Sequence, residues 1–325
     1  MSAGLDRGVV RAHEVRAHAV LRVEAGPDGS ARVVEARSAI PLVLRHTDTT
    51  VPRRAPSGAA PERDEARRVQ DLTPPVLPTV TMHLVGAAAG PLAGDQLRLD
   101  ISVGPGVRLV LRSVAATLAM PGHGPGPSVM EIHADVAAGG ALDLLPEPTV
   151  AVRGCRHRMV GRAVVAAGGW LRWREEVLLG RFGEPSGQVE TDLRVDIRVP
   201  ADDPRLPAGD PTVPADERRP LVGDRPLLRQ QLLLGPDVPG LTGAALLGSA
   251  RAVGSLLIAA PAALSQQASG PGPAGLGVPA SVTAPAASGG ARTPGGAAVL
   301  PLAGPGVLVT ALAADAVTLR RHLGP

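Results

Sequence analysis

At 325 residues with 44% apolar side chains, the chain is long enough to bury a substantial core. Its 33 basic residues, every one an Arg, face 30 acidic ones for a net charge of +3, and two Trp and one Phe are too few to interleave with them, which excludes a nucleic-acid-binding polycation. A single Cys excludes an internal disulfide, and the start MSAGLDRGVVRAHEV carries no apolar run after its first Arg, so a cytoplasmic protein is expected.

The composition is skewed, with 40 Gly, 34 Pro and no Lys, Tyr or Asn. Such drift toward Arg, Ala, Gly and Pro makes any one residue type less informative. The longest apolar stretches, 241–260 and 296–314, are interrupted by Arg251 and by Pro301 and Pro305, so no membrane span is expected.

In chain order, N-terminal strands precede a polar loop over 47–73. From about residue 94 the pattern alternates: Leu97, Leu99, Ile101 and Val103 on one side, Gln96, Arg98, Asp100 and Ser102 on the other, as in a half-buried strand. A unit of strand end, Gly-containing turn and outgoing strand then occurs three times, as SVGPGVRLVLRS (102–113), DVAAGGALDLLPE (135–147) and VVAAGGWLRWREE (164–176). Val103, Val136 and Val165 open the three turns, at spacings of 33 and 29 residues. Such a period predicts stacked coils or hairpins, each burying its neighbour's apolar face. Leu193, Val195, Ile197 and Val199 predict one more strand, followed by a Pro- and Asp-rich loop over 200–220.

Beyond that loop the period lengthens. Leu246, Val253, Leu257 and Ala260 predict one helix, and Leu312, Ala316, Leu319 and Leu323 a second. Between them, 267–296 is a Gly-, Pro-, Ala- and Ser-rich insertion whose composition predicts disorder. No domain boundary stands out over 1–325. The expected fold is mainly β, a solenoid-like stack of strands and hairpins with two C-terminal helices.

Catalytic motifs are scarce. There is no HExxH, no CxxC pair, no GxSxG elbow and no P-loop Lys. The nearest approach to a metal centre is Cys155 with His157, which share a strand face, joined by His133 between Glu131 and Asp135. These define the one enzymatic alternative, a metal-dependent hydrolase. Acidic groups also flank apolar strands: Glu147 sits between Pro146 and Pro148, while Glu175 shares a face with Trp173 and Glu176 with Arg174. One of those two carboxylates is expected to point inward, with Arg181 as a plausible partner.

GPLAGDQLRLDISVGPGVRLVLRSVAATLAM (90–120), ALDLLPEPTVAVRGCRHRM (141–159), REEVLLGRFGEPSGQVETDLRV (174–195) and RPLLRQQLLL (225–234) together resemble the UreD (UreH) family of urease accessory proteins. The chain departs from the family pattern at GAAAGPLAGD (86–95) and at Leu118, Ala119 and Met120, as a divergent member would. The resemblance implies a protein without catalytic activity or a tightly bound cofactor. It implies a scaffold that binds apo-urease and the other accessory proteins, including the nickel-carrying GTPase and its partner, with nickel passing in transit. The residues it suggests for a nickel path are Asp95, Thr117, Glu147, Glu176 and Glu184; Cys155 and His157 lie outside the family motif.

Overall fold

The computed structural model describes residues 14–47, 74–199, 224–260 and 296–324. In chain order they form β1 (Arg16–Ala25), β2 (Ala31–Arg37), β3 (Leu42–Thr47), β4 (Thr79–Gly86), β5 (Gln96–Val103), β6 (Arg108–Ser113), β7 (Thr117–Ala119), β8 (Ser128–Val136), β9 (Ala141–Leu145), β10 (Thr149–Ala151), β11 (Arg156–Ala166), β12 (Trp170–Leu178), β13 (Gln188–Arg198), β14 (Arg225–Leu234), β15 (Ala252–Ala259), β16 (Gly296–Pro301), β17 (Gly306–Ala313) and one helix, α1 (Ala316–Leu323). The expected mainly β, solenoid-like fold is what these strands build.

They lie in two sheets. One has seven strands in the order β14-β13-β11-β8-β5-β1-β2; the other has ten, running β16-β17-β15-β12-β9-β6-β4-β3 with β10 and β7 attached beside β12. At each repeated turn the chain leaves the first sheet and enters the second. β5 then pairs in parallel with β8 and β8 with β11, while β6 pairs in parallel with β9 and β9 with β12. The three repeats are therefore solenoid coils, since a hairpin would pair the two strands flanking each turn; a hairpin does occur at β1–β2.

The register stacks Val103 on Val136 and Val136 on Val165, all three buried, so the residues that open the turns form a column along the solenoid. Leu97, Leu99, Ile101 and Val103 face inward as their alternation requires. They pack with Leu109, Leu111, Leu142, Leu144, Leu171 and Trp173 of the second sheet in the main core. β13 carries Leu193 and Val195 into the same core.

A second apolar cluster, including Leu256, Ile258, Val309, Leu319 and Leu323, packs α1 on the opposite face of the ten-stranded sheet. Hence β9 and β15 are buried along their whole length. This corrects one expectation. The helix read from Leu246, Val253, Leu257 and Ala260 is instead a turn region followed by β15, which pairs antiparallel with β12 on one side and β17 on the other. A strand covered on both faces needs no alternation, so its continuous apolar run imitates helical spacing. The second expected helix is met from Ala316 onward by α1, Leu312 belonging instead to β17; α1 is capped by Asp315, whose carboxylate accepts from the Thr318 amide at 2.9 Å. No helix of the described residues is long and apolar enough to cross a membrane. Apart from Thr47, which ends β3, and Gly296, which opens β16, the polar loop 47–73 and the insertion 267–296 lie outside the described residues, as does the whole of the loop 200–220.

The coil corners are tied to one another by main-chain hydrogen bonds, Gly106 N–H to Gly139 O at 3.0 Å and Gly139 N–H to Gly168 O at 3.2 Å. A Cβ at Gly140 would stand 2.5 Å from Gly104 O and 3.1 Å from Ala137 O, both main-chain atoms that cannot swing aside. Gly140→Ala is accordingly expected to destabilise the protein by about 1–3 kcal/mol, read as a lowered melting temperature in thermal unfolding.

Candidate functional site

The most elaborate polar assembly in the described residues sits on the outer face of the ten-stranded sheet, beneath α1. Glu176, on β12, is turned to this face and its side chain is fully buried. Arg320, in the last turn of α1, donates to it through Nη2 at 2.5 Å and Nε at 3.3 Å. The same guanidinium donates through Nη1 to both Glu147 oxygens at 3.0 Å. Pro146 and Pro148 restrict the backbone on either side of Glu147, and its amide donates to Ser113 Oγ at 2.8 Å, so the carboxylate is aimed as well as paired. Arg174, also buried, donates to Pro146 O at 3.1 Å and lies 3.8 Å from Glu176. Two carboxylates and two guanidiniums thus balance in charge, which burial at this depth requires.

Glu175, one residue away, points the other way into the core between the sheets. Its Oε1 accepts from Trp173 Nε1 at 3.1 Å. Burial favours its neutral form and pushes its pKa up to about 7, against which the Trp173 hydrogen bond acts in the opposite direction. Both carboxylates of the Glu175-Glu176 pair are therefore buried, one on each face, where a single inward one was expected. Arg181 partners neither. It closes on Glu184 through Nε and Nη2 at 2.9 Å each, and this hydrogen-bonded pairing holds the Glu184 carboxyl down at about 2.

The remaining path candidates occupy other settings. Asp95 is buried as a loop cap, accepting from the Val15 and Leu92 amides at 2.9 Å each. Thr117 lies beside Thr149 in the β7–β10 ladder, and its amide donates to Pro148 O at 2.9 Å, which sets it next to the Glu147 segment. Glu147 and Glu176 are brought together, with Thr117 adjacent; Asp95 and Glu184 stand apart from them. The divergent residues at 118–120 complete β7 and its bridge to Leu92, with Ala119 buried.

The hydrolase set does not converge. His157 is buried on the inner face of the seven-stranded sheet, its Nδ1 2.9 Å from Ser128 Oγ, and burial lowers its pKa to about 4, so the ring is neutral. Cys155 is buried nearby and desolvation raises its thiol to about 11. His133 lies on the outer face of β8, 3.7 Å from Glu131 and 3.4 Å from an Arg98 nitrogen. The sheet itself separates it from His157. Among the described residues no three His, Cys, Asp or Glu side chains are grouped to hold a metal ion.

Two participants escaped the sequence reading. Arg320 lies 144 residues from Glu176 and 173 from Glu147, so no local spacing announces the contact. Asp143, fully buried, accepts from Arg108, from Arg172 at 3.0 Å and from Trp170 Nε1 at 3.3 Å. Its one available signal was a lone acid inside the apolar run ALDLL.

Removing Arg320 leaves Glu176 buried with Arg174 as its remaining cation. Arg320→Ala is expected to cost about 3 kcal/mol of stability, measured by chemical denaturation. Glu175 generates a pH dependence. Its folded pKa near 7 exceeds its unfolded value of 4.5, so its contribution is fully present below 4.5 and is lost as pH rises through 7. Glu175→Gln is expected to remove that decline and to raise the melting temperature relative to the parent at pH 8 but not at pH 4.

The chain matches the family model described as UreD urease accessory protein over residues 16–325. A protein of Frankia casuarinae named urease accessory protein UreD is 53% identical over 316 residues, 95% of this chain and 88% of that protein. One of the same name from Frankia alni is 53% identical over 309 residues, covering 95% and 91%. A third, from Parafrankia, is 46% identical over 310 residues, covering 95% and 86%. Matched along nearly its whole length, in model and relatives alike, this chain belongs to the UreD family of urease accessory proteins.

Proposed function

We propose that the chain is a nickel-delivery scaffold in maturation of the urease metallocentre. It binds apo-urease together with the other accessory proteins, including the nickel-carrying GTPase and its partner, works in the cytoplasm as a single-domain protein, and has no catalytic activity of its own. The observation that carries this reading is the full-length UreD match. The buried polar groups support it physically. Oxygen ligands held by protein cations engage a divalent ion weakly and in succession, whereas a closed tetrahedral site would trap it.

In this reading Asp95, Thr117, Glu147, Glu176 and Glu184 contact nickel in transit. Glu147 and Glu176 are the best placed of them, because one guanidinium bridges both, and an arriving dication would compete with Arg320 for the same oxygens.

The test is co-expression of the urease subunits and the remaining accessory proteins with and without this chain, followed by nickel analysis of the purified urease and assay of urea hydrolysis. Nickel content and activity are expected to fall when the chain is left out. Equal loading in both preparations overturns the proposal.

A further inference from the structure

The GR-x-GE turn after β12 carries a residue that a path for nickel does not use. Phe182, the single Phe of the chain, stands at the tip with 107% relative exposure. An aromatic ring left wholly in water forfeits the hydrophobic gain of burial, which remains to be recovered if a partner covers it.

The turn beneath it is braced from both sides. Arg181 and Glu184 flank the tip with their double hydrogen bond, and the Glu184 amide donates to Arg181 O at 3.0 Å. From below, Arg251 Nη2 donates to Leu179 O at 2.5 Å and to Glu184 O at 2.6 Å. Gly180 and Gly183 have φ of +84° and +70°, and a Cβ at Gly180 would lie 2.4 Å from Glu184 O. The shape is thus built into the motif, and the ring is presented on a fixed base. Little conformational entropy remains to be lost when it is buried by a partner.

The charge around the ring is one-sided. Arg181 and Arg251 are exposed residues bonded to the turn, and the exposed Arg153 meets the Glu184 carboxylate through its main-chain N–H. Three Arg residues thus meet the turn beside one carboxylate, Arg181 and Arg251 through their guanidiniums and Arg153 through its main chain. An exposed aromatic centre with Arg around it is the composition of an interface hot spot.

We propose that this turn is a protein-docking anchor, in which Phe182 enters an apolar socket rimmed by carboxylates on a partner protein. The choice of partners to test rests on the urease-maturation reading; the anchor itself rests on the turn.

The experiment uses the tagged full-length chain, as the parent, Phe182→Ala and Arg153→Glu, co-expressed with the urease subunits and the accessory proteins, and measures retention of each by affinity at two ionic strengths. For at least one partner, Phe182→Ala is expected to weaken binding about tenfold or more at both ionic strengths. Arg153→Glu is expected to weaken it chiefly at low ionic strength. The melting temperature of Phe182→Ala is expected to equal the parent's. Parental binding in Phe182→Ala, no partner retained by the parent, or a lowered melting temperature, which would mean that the ring is packed, each overturns the proposal. So does Phe182-dependent sedimentation with anionic phosphatidylglycerol vesicles. Nickel loading read in the same cells separates the two ideas: Phe182-dependent binding with unchanged urease nickel on omitting the chain sinks the maturation role and leaves the anchor standing.

Discussion

Parallel, in-register pairing of successive coils is the constraint from which the rest of the structure follows. Each strand of the repeat hydrogen-bonds to its counterpart one coil away, so a residue in one repeat sits directly above its equivalent in the next, as Val103, Val136 and Val165 do. The coil can close only if the chain turns sharply between sheets. Its corners approach within main-chain hydrogen-bonding distance, and a side chain at Gly140 has no room between them. Small residues at the corners and β-branched residues at their entrances are consequences of that stacking.

A mostly parallel sheet in the middle of a molecule has two faces to cover. The inner face of the ten-stranded sheet meets the seven-stranded sheet across the main core, and part of its outer face is covered by α1. Glu175 and Glu176 on β12 are then buried although they point to opposite faces. Glu175 is accommodated by a Trp173 donor and a raised pKa, Glu176 by two guanidiniums. The Arg320 contacts also join α1 to the strand and to the Pro-Glu-Pro corner, so one cation orients three separate pieces of chain.

In this member of the UreD family the construction leaves few side chains free to grip a metal ion tightly. Glu147, Glu176 and Glu184 are held by neighbouring guanidiniums, Asp95 by main-chain amides and Glu175 by Trp173, while His157 is neutral and Cys155 a desolvated thiol, an inventory of weak or preoccupied ligands. At the far end of β12 the same framework supports a hydrogen-bonded turn with an unburied aromatic ring.

Much of this was legible in the linear chain because it is local or periodic. Period-two alternation identified β5 and the inward half of β13, the 33- and 29-residue spacings identified a repeat that parallel pairing then resolved as coils rather than hairpins, and the ordered motifs identified the family. Parity alone placed Glu175 with Trp173 and Glu176 with Arg174. Where burial extends to both faces, the period vanishes, and β15 read as a helix for that reason. Long-range ion pairing was equally silent: Arg320 reaches Glu147 and Glu176 across more than a hundred residues, while Arg181, the nearer candidate, closes on Glu184. The sequence by itself determined the strands that bury one face, the repeat and the family, since these depend on neighbours along the chain. Only the tertiary structure decided which charges meet, which face of each sheet is covered and which aromatic ring is left in water, because those depend on where separate segments come to rest against one another.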